Sequence, residues 1–303
     1  MLLEKRVPFI YLFKQIKYDI LFVFLMSVVT FSLKRTWGED VPRIPISLPA
    51  FLGTAISLLL SFKLSQSYDR WWEARKVWGA IVNDSRSLVM QVMQFTNVFS
   101  ANEKIKELVH AFSYRQIAWC YCLGRSLRDQ DTMPVLEKYI AESDIAEVSR
   151  QSNKPLALLN LHTRDAVVLL RNNAINDYQQ VQVDSTLVRL CDSMGKAERI
   201  RSTVFPVTYR QILRSFIYIF LFIMSMALLD IGSWWEIPLD VLISLPFFMI
   251  EKTARHMQDP FMNQPNDTAV TTIARTIETN IRQLWDDKKL PEKESTEDKF
   301  YIL

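Results

Sequence analysis

Glycine, cysteine and catalytic motifs are scarce in this chain of 303 residues, and each shortage excludes a class of protein. Six glycines, and a charged half without strict period-two alternation, argue against a β-sheet protein. The cysteines Cys120, Cys122 and Cys191 are too few for a disulfide framework and lack metal-site spacing, so we expect buried free thiols. No nucleophile elbow, phosphate loop or metal motif occurs, so we predict no enzyme, no bound metal and no cofactor.

Charge is also sparse in four apolar stretches, two toward each end of the chain, at 18–33, 44–62, 215–229 and 237–250. The second, IPISLPAFLGTAISLLLSF, has nineteen residues and no charge. At about 1.5 Å per residue this helix would reach roughly 28 Å, the thickness of the hydrocarbon core of a bilayer. The sequence therefore predicts an all-α membrane protein with four transmembrane helices in contact with membrane lipid.

The segment between the two pairs of stretches is densely charged and has helical patterns, at 77–99, 103–127, from Ser152–Pro155 to about 178, and 184–194. We expect Ser100 or Asn102 to cap the second pattern and Gly195 to end the last. We interpret this block as a cytoplasmic extension of the membrane helices. The predicted organisation is an N-terminal segment, two spans, the helical block, two spans, and a C-terminal segment with a tail, at 1–17, 18–62, 63–214, 215–250 and 251–303.

Basic residues flank the four stretches unevenly and predict the orientation. Lys and Arg lie before the first and third stretches and after the second and fourth, whereas the turn DIGSWWEIPLD has acids only. By the positive-inside rule both termini and the helical block are cytoplasmic, although Lys34, Arg35 and Arg43 oppose this. Asp230 and Asp240 flank the outer turn, where we expect them at the membrane interface. A net charge of +3, without a Lys/Arg run interleaved with aromatics, argues against nucleic acid as a partner.

Small hydroxyl side chains form a stripe along the second apolar stretch. At 100° per residue, one sector of about 140° holds Thr54, Ser57, Leu58, Ser61, Phe62 and Ser65. Hydroxyl residues are favoured where membrane helices pack closely, and they also line water-filled pores. Periodicity alone leaves these two interpretations even.

The motif SYDRWWEARKVWGA, at Ser67–Ala80, follows directly after this stretch. It resembles the bestrophin family of ion channels, in which a membrane helix continues straight into an Arg-Trp-Trp element, here Arg70, Trp71 and Trp72. The layout is similar as well, with two N-terminal spans, a helical block, two C-terminal spans and a Pro-containing element near Phe205–Pro206. The resemblance covers nearly the whole chain.

The resemblance implies a homopentamer around one central pore, lined by the second span of each subunit. The family has a narrow neck of three hydrophobic positions, each four residues apart, which counting back from the motif places at Thr54, Leu58 and Phe62. Thr54 departs from the apolar preference of the family. A second, cytoplasmic constriction would lie at Ile175 or Tyr178.

One family feature is missing from this sequence. Animal bestrophins have an acidic cluster after the last span that binds calcium, whereas DPFMNQPND offers only the separated Asp259 and Asp267. Calcium takes six to eight oxygen ligands, so we predict that calcium does not activate this protein. The partner of Arg70 stays open between Asp69, Glu73 and a neighbouring subunit.

Two functional classes follow. The first is a passive channel for small monovalent ions; the family default favours anions such as chloride, and a sodium-type cation channel is the alternative. A neck without fixed charge discriminates between ions mainly by their size and by the cost of dehydrating them. The charge at the pore mouth therefore decides whether anions or cations pass. The second class is a membrane-anchored scaffold or an inner-leaflet enzyme, which should show a catalytic cluster facing the membrane. No such cluster is visible, so we predict the channel.

Overall fold

The computed structural model describes residues 8–38, 44–203, 206–228, 233–292 and 301, and of residues 9 and 12 only the backbone. The predictions made for Arg43, Phe205 and Asp230 lie outside the described residues. All helices of the described part are α-helices: α1 Phe9–Trp37, α2 Ser47–Phe95, α3 Glu103–Ser126, α4 Met133–Tyr139, α5 Glu142–Val148, α6 Lys154–Arg171, α7 Asp177–Ser202, α8 Val207–Leu228, α9 Glu236–Gln258 and α10 Val270–Leu284. This confirms the predicted all-helical architecture.

The chain forms two compact units. The apolar unit consists of the described residues within 4–71 and 204–259, and it contains α1, the first half of α2, α8 and α9. The central unit consists of those within 72–203 and 260–303, and it contains the second half of α2, α3 to α7 and α10. The helix α2 has 49 residues and belongs to both units. After its first turn it contains no proline, which explains why it is not interrupted.

The apolar unit buries one side of each of its helices. α1, α8 and α9 pack against one another. The core consists of aliphatic and aromatic side chains from all four helices, at Ile16, Val23, Ile56, Leu60, Leu213, Ile217, Phe220, Leu221 and Phe248. The other sides stay apolar and exposed, with Leu25 53% and Phe51 71% exposed, as expected for helices surrounded by lipid.

Three helices are long and apolar enough to cross a membrane, within Phe13–Trp37, Ser47–Phe95 and Val207–Leu228. They contain the first three predicted spans, apart from Ile44, Pro45 and Ile46, which precede α2, and Leu229, which lies outside the described residues. The fourth predicted stretch, 237–250, lies in α9, which does not meet the same criterion. That helix carries Asp240 and Pro246 within the stretch and Glu251 directly after it, and these residues lower its hydropathy.

The central unit has its own hydrophobic core around α3. This helix packs against α4, α6 and α10, and α6 packs against α7. Three large aromatic side chains fill the centre of this core and are each 0% exposed: Trp78 from α2, and Phe112 and Trp119 from α3. At Gly124 an added Cβ would lie 3.3 Å from Val270, so glycine allows the close approach of α3 and α10.

Cap residues explain where the helices of the central unit begin. The side chain of Asn102 accepts a hydrogen bond from the Ile105 backbone N–H at 3.0 Å, so Asn102 is the cap of α3. Asn153 caps α6 in the same way, through the Leu156 N–H at 3.0 Å, and Pro155 lies in the first turn. Both start signals were visible in the sequence.

The boundary between α6 and α7 differs from the prediction. α6 ends at Arg171 instead of about Tyr178, and Asn173 adopts a φ of 52°. A capping box starts α7, in which Asn176 and Gln179 each accept the backbone N–H of the other at 2.9 Å. Gly195 does not end the last pattern, because α7 continues through it to Ser202.

Candidate functional site

The hydroxyl stripe of α2 lies on an exposed face of the apolar unit. All six residues of the predicted sector are exposed: Thr54, Ser57, Leu58, Ser61, Phe62 and Ser65. The two bulky side chains among them, Leu58 and Phe62, are 58% and 56% exposed. The opposite face of the same helix is buried, with Ile56 at 4% and Leu60 at 2%. Among the described residues of the apolar unit, therefore, this stripe faces away from the hydrophobic core.

The hydroxyl groups at the start of the stripe bond within their own helix. The Thr54 hydroxyl donates to the carbonyl of Ala50 at 2.9 Å, and the Ser57 hydroxyl donates to that of Gly53 at 2.7 Å. This back-bonding satisfies the donor and leaves the oxygen lone pairs free to accept from outside the helix. A face of this kind is weakly polar without carrying a fixed charge.

Gly53, beside the stripe, allows α2 to approach α8 closely. A Cβ built at this position would lie 3.1 Å from the ring of Phe220. Phe220 is 2% exposed and belongs to the core of the apolar unit, so it has little room to move. This close contact fixes the position of α2 at Gly53, directly before Thr54, the first predicted neck residue.

A buried ion pair follows directly after Phe62. The Lys63 ammonium donates to the Glu251 carboxylate of α9 at 3.0 Å, and the two side chains are 0% and 2% exposed. Arg255 donates to the same carboxylate oxygen at 3.0 Å. This pair was not predicted from the sequence. Lys63 directly follows an apolar run, a position typical of the end of a membrane span. No local pattern indicates Glu251, 188 residues further along the chain, as its partner.

The N-terminal part of the apolar unit ends within the Arg-Trp-Trp element, after Trp71. Arg70 pairs with Asp259, at the end of α9, at 3.8 Å, a partner that was not among the three considered. Glu73 pairs instead with Arg199 at 2.6 Å. Trp71 is partly buried, with its ring 6.0 Å from that of Tyr68, and the next residue, Trp72, is 46% exposed.

A second charged cluster joins α1, α8 and α9 of the apolar unit. Asp19 is 3% exposed and accepts from Arg214 at 2.5 Å and from the Tyr218 hydroxyl at 2.6 Å. Lys252 lies 3.5 Å from the other oxygen of the same carboxylate. One buried acid therefore holds two cations and a hydroxyl from neighbouring helices.

Acidic residues at the start of α9 are buried as well. Asp240, expected at the membrane interface, is 0% exposed and accepts from Ser27 at 2.6 Å. Glu236 is 4% exposed and lies 3.8 Å from Lys34. These contacts with α1 were not predicted from the sequence.

The two candidates for a cytoplasmic constriction have opposite environments in the central unit. Ile175 is 5% exposed and packs in the hydrophobic core. Tyr178, in the first turn of α7, is 87% exposed. A side chain that lines a shared axis must be exposed in the single subunit, so this arrangement suits Tyr178 and not Ile175.

The carboxylates after α9 are used within each unit. Asp259 pairs with Arg70 in the apolar unit, as described above. In the central unit Asp267 is 0% exposed and accepts from the Gln264 backbone N–H at 3.0 Å, and burial raises the pKa of Asp267 to about 6. Within the described ranges no group of three or more His, Cys, Asp or Glu residues has a metal-binding arrangement.

Two of the three cysteines and one histidine of the central unit are buried and unsuited to chemistry. Cys120 and Cys122 are buried, and burial raises the pKa of each thiol to about 12. Cys191 is exposed, so the prediction of a buried thiol was wrong there; it lies on an outer side of α7. His162 is 0% exposed, and burial holds its pKa well below the usual value. These three buried groups are core residues.

Comparison with known proteins gives consistent matches along the chain. The profile of the family described as bacterial/fungal bestrophin protein matches residues 11–283. The chain is 28% identical over 270 residues to the voltage-dependent anion channel-forming protein YneE of Escherichia coli (strain K12), covering 89% of this chain and 86% of that protein. It is 29% identical over 247 residues to a voltage-dependent anion channel-forming protein of Nostoc sp., covering 80% of each.

A solved structure has the same fold. The crystal structure of a bacterial bestrophin homologue from Klebsiella pneumoniae superposes with a TM-score of 0.83 at 25% sequence identity. The superposition covers 90% of this chain and 100% of that one. The similarity therefore extends over helices of both units.

Proposed function

The chain belongs to the bacterial and fungal bestrophin family, as the motif at Ser67–Ala80 predicted, and on this premise we propose a passive, anion-conducting homopentameric channel. A member of this family is a membrane protein that forms a channel, and not an enzyme. The observation that carries the proposal is the exposed face of α2. Its hydroxyls and its two bulky apolar side chains point away from the subunit, whereas the other side of the helix is buried.

The polar stripe is the reason to expect an assembly. Hydroxyl groups on a membrane helix are unfavourable against lipid and are sheltered by protein or by water. Five copies of the face around one axis place every stripe in a common aqueous lining. Only the outer sides of α1, α8 and α9 then remain for lipid.

We assign the narrow neck of this pore to Thr54, Leu58 and Phe62. A ring of five phenylalanines or five leucines excludes water and forms a hydrophobic gate. Thr54 already bonds its own backbone and presents a hydroxyl oxygen, so its ring is the wettest of the three. We assign the second, cytoplasmic constriction to Tyr178, which is 87% exposed.

Selectivity for anions is supported by the burial of two outer acids. Glu236 and Asp240 would attract cations if they faced the pore mouth, but they are 4% and 0% exposed. Glu236 also lies 3.8 Å from Lys34. The relatives named above are described as anion channel-forming proteins, which agrees with this assignment.

We further propose four transmembrane helices, with α9 as the last, in a bacterial inner membrane with both termini in the cytoplasm. The three apolar helices and the distribution of Lys and Arg support this orientation. α9 is the least apolar of the four, and its charged residues are paired inside the unit instead of facing lipid. The central unit then lies on the cytoplasmic side.

Two measurements on purified protein test the proposal. Native mass spectrometry in mild detergent should give a mass of five chains; a folded monomer would refute the assembly. In bilayers with asymmetric salt, the reversal potential should follow chloride when chloride is replaced by a large anion. It should stay unchanged when sodium is replaced by a large cation. A potential that follows sodium alone would refute anion selectivity and leave the channel itself intact.

A further inference from the structure

Two cations of α2 point away from the stripe, and both pair with α9. Lys63 binds Glu251 at 3.0 Å, and Arg70 pairs with Asp259 at 3.8 Å. Residues seven apart on a helix differ by only about 20° in direction, so Lys63 and Arg70 lie on one side of α2. Their partners are eight residues apart and follow in the same order. The two helices therefore run side by side in the same direction along this stretch.

The first of these pairs lies beside the neck. Lys63 directly follows Phe62, so the two side chains leave α2 about 100° apart. Because an α-helix is stiff, any rotation of α2 about its axis moves both side chains together. The position of the Lys63 ammonium against Glu251 thus determines where Phe62 points.

Burial makes the pair a strong constraint. The side chains of Lys63 and Glu251 are 0% and 2% exposed. A buried charge that loses its partner carries a large desolvation penalty and must regain a counterion or reach water. In the proposed channel the water nearest to Phe62 is in the pore, so an unpaired Lys63 would be drawn to rotate toward it.

The carboxylate of this pair is itself held in place. Arg255, one turn further along α9, binds the same oxygen of Glu251 at 3.0 Å. The residue after Glu251, Lys252, lies 3.5 Å from Asp19 of α1, which also binds Arg214 of α8 at 2.5 Å. Through Glu251, the neck region of α2 is connected to the other three helices of the apolar unit.

We propose that Lys63 and Glu251 are positioning residues that set the rotation of α2 and so hold the Phe62 ring across the pore in the closed state. The inference rests on the proposed channel function, and it adds a second determinant of gating that does not line the pore. Neither residue contacts the permeating ion in this arrangement. They act on the gate through the orientation of the helix that carries it.

The test compares channel variants in bilayers, each first shown to be pentameric. Glu251→Gln keeps the size of the side chain and leaves Lys63 without its carboxylate partner. We expect the open probability to rise at least about tenfold, which corresponds to about 1.4 kcal/mol. The reversal potential should also move toward the chloride equilibrium potential, because the cation turns toward the pore.

Lys63→Met removes the constraint without leaving a cation. It should raise the open probability by a smaller factor and should not move the reversal potential. The double variant Lys63→Met/Glu251→Gln should match Lys63→Met, because no ammonium remains to turn. The matched control is Lys196→Met, which breaks the exposed pair with Asp192 and should leave the gating of the wild-type channel unchanged.

Several results would overturn the proposal. One is an open probability equal to that of the wild type in both variants, Lys63→Met and Glu251→Gln, when each is pentameric. Another is failure of the double variant to assemble, which would make the pair a requirement for folding instead of gating. Phe62→Ala in the same preparation separates this inference from the channel proposal. If Phe62→Ala raises the current and the ion-pair variants do not, only the positioning role fails; if Phe62→Ala has no effect, the gate assignment fails.

Discussion

Truncating the side chains of the proposed neck should open the channel with only a small loss of stability. Phe62 and Leu58 are 56% and 58% exposed in the subunit, so a little under half of each side chain is packed within its own chain. A fully buried Phe→Ala change costs roughly 3–5 kcal/mol, so Phe62→Ala should cost about 1–2 kcal/mol per subunit. The midpoint of thermal unfolding should then fall by only a few degrees, at roughly 2–4 °C per kcal/mol.

The competing interpretation gives a different magnitude. If this face packs against a neighbouring subunit instead of lining a pore, each truncation removes the full contact. Five copies would then lose roughly 15–25 kcal/mol per pentamer, enough to dissociate it. If these side chains form the gate, truncating them instead lowers the free-energy barrier to wetting the neck.

Single-channel recording and thermal melts on the same preparations decide between the two. Phe62→Ala and Leu58→Ala should raise conductance or open probability, the double variant more than either, and Thr54→Ala should do less. Leu60→Ala is the matched control, because Leu60 is 2% exposed on the opposite face of the same helix. It should destabilise the protein by about 2–5 kcal/mol. A Phe62→Ala variant that melts early and shows no gain of current would refute the gate.

Three further predictions concern calcium, pH and thiol chemistry. Because the segment after α9 lacks an acidic cluster, a chelator on either side should leave the current unchanged; a reversible loss on inner-side chelation would contradict this. In the central unit, the Lys289 backbone N–H and the Tyr114 hydroxyl lower the pKa of Asp287 to about 2. Asp287 should therefore stabilise the fold fully above about pH 4, and this contribution should be lost as the pH falls toward about 2. In thermal melts between these two pH values, the unfolding midpoint of Asp287→Asn should fall less steeply with decreasing pH than that of the wild type. A maleimide should label one cysteine per native chain, at Cys191, and all three after denaturation, as read by mass spectrometry; labelling of Cys120 or Cys122 in the native protein would contradict the structure.

The features of the site that depend on one helix were predictable from the sequence. A period of 100° per residue places Thr54, Leu58 and Phe62 on one side of α2 together with the serines. In the described part of the apolar unit that side is exposed. Helix starts at Asn102 and Asn153 were equally predictable, because a cap acts within three residues of itself.

The features that depend on two distant helices were not predictable. Lys63 and Glu251 are 188 residues apart, and their pairing follows from how α2 and α9 pack. The burial of Asp240 was not predictable either, because the Ser27 hydroxyl that donates to it lies on another helix, 213 residues away along the chain. The predicted α6–α7 boundary was wrong for a local reason: the capping box at Asn176 and Gln179 starts a new helix after α6 has ended at Arg171.

The continuity of α2 has a consequence for chimeric proteins. Residues that line the exposed stripe and residues that fill the core of the central unit, such as Trp78, lie on one unbroken helix of 49 residues. A chimera joined between the two sets of residues therefore has its junction inside a helix. A junction within α2 must keep helical phase: an insertion of seven residues turns the following part by only about −20°, whereas a single residue turns it by about 100°. Length variation in this helix should therefore be restricted to steps near whole turns.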